Sequence, residues 1–280
     1  IRGKVSIETS QTEDQVIVKS DGFPTYHLAV VVDDHLMQIT HVVRGEEWLP
    51  SFPKHLLLYR YFGWDPPEFA HLPLILNPDR TKLSKRQGDV AVEDFRDQGF
   101  LAETLVNFIS LLGWSPADDR ELFTLEELVE EFSFERVNKS GAVFDREKLN
   151  WMNQQYIQNL DQQDLVRRVA PFVAKTAYAE QDTDLLEKAV KILQPRLVTL
   201  AETPKRLALF FDENPQATDP EVLSLLKEES SKLVLAEFIK QLQTMENLNE
   251  ENLGSLVKNV QTATNIKGKN LWMPLRYAIT

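Results

Sequence analysis

The feature that most narrows what this chain can fold into is a change of apolar period near Val92. Upstream, apolar residues come in short runs divided by turn signals. Residues 15–19, 25–32 and 37–43 read as strands, separated by Asp21-Gly22 and Asp33-Asp34. Positions 28–32 are apolar consecutively, which suits a strand covered on both faces. A helix fits 53–62, with Ser51 as N-cap and Gly63 as stop. Downstream, Leu101, Leu105, Phe108, Ile109 and Leu112 recur at helical spacing before Gly113, and Thr124-Leu-Glu-Glu127 is a capping box opening a helix over 125–132. Further helices are predicted over 165–179, 184–200 and 205–211, and Asp219-Pro220 supplies the N-cap and first-turn proline of another. Mixed elements followed by helices alone predict an α/β layer joined to an all-α region.

Size and charge bound the function. A chain of 280 residues, 42% hydrophobic, supports a large core and about two domains. Lys and Arg number 31 against 43 Asp and Glu, a net charge of −12. That argues against indiscriminate binding to polyanions but leaves room for a nucleic-acid partner held by local basic patches. Residues 201–256 hold five bases and eleven acids, whereas the last 24 hold four bases and no acid, so polyanion contact in this half favours the final stretch. With no cysteine, and His27, His35, His41, His55 and His71 never paired as H-x-x-x-H, no resident metal is expected. The apolar runs fall far short of a bilayer span and no signal-peptide pattern opens the chain, so a cytoplasmic protein without membrane insertion is expected. The first residue is Ile and the last stretch is apolar, as in a piece of something longer.

The string that points to chemistry is Asn77-Pro-Asp-Arg-Thr-Lys82-Leu83-Ser84-Lys85-Arg86-Gln87-Gly88. Two lysines spaced by Leu-Ser sit in a segment begun by Pro and closed by Gly. A solvated basic loop is the plain account. The sharper one is phosphate handling, because cations held by the fold stabilise charge that builds on a phosphoryl group during displacement.

Lys82-Leu-Ser-Lys-Arg86 resembles the second signature, of the Lys-Met-Ser-Lys-Ser type, of class I aminoacyl-tRNA synthetases. Asp21-Gly-Phe-Pro-Thr-Tyr-His-Leu-Ala29, Val31-Val-Asp-Asp-His35, Thr40-His-Val-Val-Arg-Gly-Glu-Glu-Trp48 and Leu56-Leu-Leu-Tyr59 are similar to the glutamyl-tRNA synthetase family in order and spacing. The likeness continues through 100–114, Phe144-Asp-Arg-Glu-Lys-Leu-Asn-Trp-Met-Asn153 and Gln194-Pro-Arg-Leu197.

The resemblance implies a partial Rossmann-like nucleotide-binding domain, a stem-contact domain and a helical anticodon-binding region. Its boundaries would be 1–25 for the end of an acceptor-binding insertion, 26–77 for the second half of the Rossmann-like domain, 78–160 for signature loop and stem contact, and 161–280 for the anticodon region. It implies ATP-dependent activation of L-glutamate, with Mg²⁺ accompanying the nucleotide, and transfer to tRNA(Glu) by a monomer. Arg44 then matches the arginine that holds the glutamate side-chain carboxylate, which a planar fork of donors meets bidentately. Tyr26, Trp48 and Glu47 match the pocket wall. Lys85 and Lys82 match the catalytic, ATP-contacting lysines, Ser84 shapes the loop, and Leu74 and Ile75 match the strand that meets adenine. Arg196 matches an arginine directed at the third anticodon base, where it can bond a base edge or stack. Arg146, Lys148, Trp151 and Asn153 fall where the family braces the inner corner of the tRNA. Each has a plainer alternative: surface arginine, strand aromatic, core tryptophan, or an arginine serving a helix C-terminus.

Two departures stand out. Val30 occupies a position where relatives commonly have asparagine. No His-Ile-Gly-His-type first signature occurs, so the resemblance implies an internal fragment, inactive or nearly so by itself, with strand edges open over 26–76. The alternatives are a non-catalytic tRNA-binding module or half of a split synthetase, and glutaminyl-tRNA synthetase, whose anticodon region is built from β-barrels rather than helices.

Overall fold

The computed structural model describes all residues except 2, 4, 9, 11, 84–90, 213–218, 246, 248 and 280. Two compact units emerge, one of Ile1–Phe172 with Lys191–Glu202, the other of Val173–Val190 with Thr203–Thr280.

The first unit opens with α1 (Tyr26–Leu36), β1 (His41–Gly45), a 3₁₀ turn (Glu46–Ser51), α2 (Phe52–Phe62), β2 (Glu68–Leu72) and β3 (Ile75–Leu76). β1 and β2 pair in parallel with Arg44 opposite His71. α2 begins after Ser51 and ends at Gly63, whose φ of 70° is the left-handed cap that glycine adopts without penalty. α3 (Val92–Asp97), α4 (Ala102–Gly113), α5 (Leu125–Glu131), β4 (Ala142–Val143) and α6 (Arg146–Gln158) follow. β4 pairs in parallel with β3. The Thr124 capping box is present, its hydroxyl accepting from Glu127 N–H at 3.2 Å. One core cluster joins Phe95, Phe100, Leu105, Phe108, Leu112, Leu149 and Met152, and another joins Trp114, Phe123, Leu128 and Val137. Ile109, placed by its spacing with the apolar stripe, is half-exposed instead.

Two of the boundaries between the units fall within α7 (Gln162–Val173) and α8 (Thr183–Leu193), and the third falls between Glu202 and Thr203. Both helices stop earlier than their periodicity predicts. Thr176 caps a separate 3₁₀ turn at Ala177–Glu180, and Pro195, which lacks an N–H, sits in another at Gln194–Arg196. In the second unit α9 (Thr203–Phe211), α10 (Pro220–Lys227), α11 (Glu229–Leu242), α12 (Glu250–Thr264) and α13 (Lys269–Ile279) follow. Val234, Phe238, Leu256, Val257, Val260, Leu271 and Leu275 form its core. Asp219 caps α10 as predicted, accepting from Glu221 N–H at 2.8 Å. No described helix is long and apolar enough to cross a membrane.

The expected strand over 25–32 is a helix. A short run of Leu, Ala and Val carries no period that separates buried strand from buried helix, and tertiary packing decides. Here Val31 packs with Leu58 and Tyr59 of α2, with Val30, Trp64 and Phe69 around them, so Val30 is partly buried against this core. The strand expected over 37–43 starts only at His41 and runs on to Gly45 as β1, because α1 ends in a Schellman-type turn. Ile39 N–H reaches Asp34 O at 2.9 Å and Gln38 takes φ 57°. Residues 15–19 contribute only a bridge between Val18 and Pro24. Among the described residues each of β1 and β2 pairs on one side only.

Asn153 also needs correction. Expected at a tRNA surface, it is 0% exposed. Its Oδ1 accepts from Leu101 N–H at 2.9 Å and its Nδ2 donates to Val198 O at 2.6 Å. Both ends of the amide are spent inside the unit, so the side chain cannot touch a nucleic acid. Asn153→Ala would leave two backbone groups unpaired and is predicted to lower stability by roughly 3 kcal/mol, measured by chemical denaturation.

Candidate functional site

The site is assembled at the C-terminal ends of β1 and β2. Parallel register sets Arg44 beside His71, and the guanidinium Nε–H donates to His71 Nε2 at 3.4 Å. The 3₁₀ turn after β1 brings back Trp48, whose ring lies 5.8 Å from the guanidinium carbon, and Phe69 of β2 flanks it at 5.7 Å. The first turn of α2 presents His55, and Arg44 Nη1–H donates to its Nδ1 at 3.2 Å. The first turn of α1 presents Tyr26 and His27. Tyr26 packs on Trp48 with ring centroids 4.9 Å apart and is 50% exposed, while His27 Nδ1 lies 2.9 Å from His55 Nε2.

Arginine has donors only, and this fixes the proton positions around it. His55 Nδ1 must accept, so neutral His55 carries its proton on Nε2 and donates it to His27 Nδ1. His71 Nε2 must also accept, which puts the His71 proton on Nδ1. Burial, then the Arg44 charge and His27, push His55 from its ordinary 6.5 down to about 4. Burial, then Lys54 and Arg44, lower His27 as well. His55 and His71 are 2% and 6% exposed. The remaining guanidinium nitrogen, Nη2, is buried and has no hydrogen-bond partner among the described residues.

A second basic group reaches this neighbourhood through the turn at Glu46–Ser51. Lys82 Nζ pairs with Glu47 Oε1 at 2.9 Å, and Glu47 is the residue before Trp48. The lysine hydrogen bond is the main cause of a lowered Glu47 carboxyl pKa. Lys82 is carried by a built turn, not a loose loop. Asn77 N–H donates to Thr81 O at 2.8 Å, Leu83 N–H to Ile75 O at 3.0 Å, and Asp79 accepts from the backbone and hydroxyl of Thr81. Leu74 and Ile75, at the start of this turn, are half-buried. Ser84 and Lys85 lie outside the described residues.

The positions tied to tRNA separate by exposure. Arg196 is exposed, with no ion pair among the described residues. Its turn is anchored to the end of α6 by Gln194 Nε2, donating to Ile157 O at 3.0 Å and Leu160 O at 2.8 Å. Trp151 is 42% exposed. Lys148 pairs with Glu121, and Arg146 bonds Gln98 while its guanidinium carbon lies 5.1 Å from the Phe95 ring and 4.6 Å from that of Phe100. No group of three or more His, Cys, Asp or Glu among the described residues could hold a metal.

His27, His55 and His71 are the site residues that sequence reasoning missed, since histidine spacing was weighed only for metal ligation. A histidine embedded in an apolar helix start, as in Lys54-His55-Leu-Leu-Leu58, was the available signal.

Residues 1–151 match the family of class I tRNA synthetases (E and Q), catalytic domain, and residues 164–280 match an anticodon binding domain. The chain belongs to the class I tRNA synthetases of the E and Q group. It is similar to the glutamate–tRNA ligases of Clostridioides difficile and Alkaliphilus metalliredigens, each 46% identical over 285 residues, covering 100% of this chain and 58% of the relative. Among solved structures it is similar to a glutamate tRNA ligase from Elizabethkingia meningosepticum in complex with its amino acid. The TM-score is 0.80 at 34% identity, covering 100% of this chain and 59% of that one. The chain thus spans little more than half the length of these relatives.

The His55 shift gives a signed prediction. Between pH 6.5 and about 4 the unfolded chain binds a proton that folded His55 refuses, so its contribution to stability is present above 6.5 and lost as pH falls toward 4. Nitrogen-detected NMR should show His55 neutral at pH 5.5, and His55→Asn should reduce the loss of stability on acidification across that window.

Proposed function

We propose that this chain serves a glutamate–tRNA ligase. L-Glutamate is activated with ATP and then transferred to the 3′ end of tRNA(Glu). The observation that carries this reading is the Arg44 guanidinium, bonded on Nε and Nη1 to uncharged acceptors and buried with Nη2 unpartnered. A buried donor edge with net positive charge is the partner a carboxylate needs. Trp48 lies beside the guanidinium with Tyr26 packed on it, and a phenol and an indole supply apolar surface with a polar handle. The relatives named for glutamate, together with the helices of 164–280, favour the glutamyl over the glutaminyl activity.

In the first step an α-carboxylate oxygen bonds to the α-phosphorus of ATP, the bond to the bridging oxygen breaks, and pyrophosphate leaves. In the second, a terminal ribose hydroxyl attacks the acyl carbon and AMP leaves. Lys82, with Lys85 and Ser84, would meet the triphosphate, whose Mg²⁺ arrives with the nucleotide. Leu74 and Ile75 would meet adenine. The Lys82–Glu47 pair is solvent-exposed and therefore weak, so phosphate oxygens can displace the carboxylate. Arg196 would read an anticodon base, and Trp151, Lys148 and Arg146 would brace the tRNA corner, without Asn153. The domain assignment follows these roles: 1–25 as the end of the acceptor insertion, 26–77 for amino acid and nucleotide, 78–160 for the stem, and 161–280 for the anticodon. The assembly would be a monomer working in the cytoplasm.

Titration calorimetry on the chain tests the pocket. L-Glutamate is predicted to bind in preference to L-glutamine, and Arg44→Ala to weaken glutamate by about tenfold to a hundredfold. Equal affinity for the two amino acids, or an Arg44→Ala variant that binds as the parent does, would overturn the reading. For the tRNA surface, Arg196→Ala should weaken tRNA(Glu) binding by about tenfold in a filter-binding assay while leaving thermal stability unchanged.

A further inference from the structure

We propose that His55 and His71 are positioning residues that set the charge selectivity of the Arg44 pocket: they hold the guanidinium by accepting its hydrogen bonds while leaving its positive charge for an anionic ligand. The inference rests on the reading of Arg44 given above and asks which feature of this pocket separates a carboxylate from an amide.

An arginine side chain has five N–H donors and many rotamers, so an unsupported guanidinium would meet a ligand in several poses. Here two edges are tied down. Strand register brings His71 to Nε, α2 brings His55 to Nη1, and His27 on α1 accepts from His55 and fixes that ring in turn. With Nε and Nη1 engaged, Nη2 is the nitrogen left to a ligand. Aspartate or glutamate in either histidine position would hold the guanidinium equally well, and carboxylates are the commoner partner for a buried arginine. They would also cancel its charge. A neutralised guanidinium still donates a hydrogen bond, and a primary amide oxygen accepts it almost as well as a carboxylate. A guanidinium supported by uncharged imidazoles keeps its charge and rewards an anion.

The surrounding charges agree with this division. Burial and then the Arg44 charge favour the uncharged form of His55, and burial followed by Lys54 and Arg44 does the same for His27. The carboxylate facing Arg44 from α1 is Asp34, whose pKa is raised chiefly by burial. No hydrogen bond joins Asp34 to Arg44 among the described residues, so the pocket keeps its positive sign.

Two nearly isosteric substitutions separate positioning from charge. His55→Asn supplies an uncharged oxygen where Nδ1 sits, and His55→Asp supplies a charged one. Calorimetry with L-glutamate and L-glutamine should show that His55→Asn keeps the parent preference for glutamate within about threefold. His55→Asp should weaken glutamate by about tenfold while sparing glutamine, which draws the ratio toward one. A His55→Asp chain with the parent preference, or a His55→Asn chain without it, overturns the inference. If a substitution at 55 unfolds the chain by circular dichroism, His71→Gln and His71→Glu form the same neutral and charged pair. A readout without ligand stands beside these. Long-range proton–nitrogen NMR should find the proton of His55 on Nε2 and that of His71 on Nδ1, and the opposite tautomers or an imidazolium at neutral pH contradict the arrangement. Should the parent chain show no preference for glutamate, the proposed function fails, while the tautomers still report whether the histidines hold Arg44 as described.

Discussion

Arginine can only donate, and much of the catalytic half of this chain is arranged around that fact. The part-buried Arg44 guanidinium is met by acceptors drawn from separate elements: His71 from the neighbouring strand and His55 from the start of α2, with Trp48 and Phe69 rings nearby. Each acceptor has a reason to be where it is. The parallel register of β1 and β2 sets one, and the 3₁₀ turn that reverses the chain after Gly45 sets the other by delivering α2 to the same edge. Under the proposed function a carboxylate ligand would complete the set.

The same turn links the surroundings of Arg44 to the basic segment. Glu47 and Trp48 are consecutive, one holding Lys82 and the other facing Arg44. Lys82 rides on a turn whose asparagine, aspartate and threonine bond to each other and to its backbone, so the ammonium is delivered from a defined base. An exposed ion pair of this kind contributes little to stability, about 1 kcal/mol or less. Its value lies in keeping the lysine near the site while remaining easy to break. Arg44 and Lys82 are therefore adjacent because one six-residue turn touches both.

What was legible in the sequence was local. The Thr124 capping box, the Gly63 stop of α2 and the Asp219-Pro220 start of α10 depend on residues within a turn of each other and appear where they were read, whereas Ser51 precedes α2 with helical backbone and no side-chain cap bond. Non-local packing was not legible. Residues 28–32 look like a strand until Leu58 and Tyr59 supply a helix to pack on. Asn153 looks like a surface amide until Leu101 and Val198 close on it from opposite sides of the sequence. Arg44 was found through its resemblance to a family position. Its histidines were not, because their role exists only once strand register and helix direction bring rings 11 and 27 residues away to the same guanidinium.

The central claim is that the free edge of Arg44 receives a carboxylate. A crystal structure of the chain grown with L-glutamate tests it most directly. The account predicts a side-chain carboxylate oxygen about 2.8 Å from Arg44 Nη2, with His55 and His71 still bonded to the other guanidinium nitrogens. Glutamate bound elsewhere, or Arg44 turned away from both histidines to meet it, would contradict it.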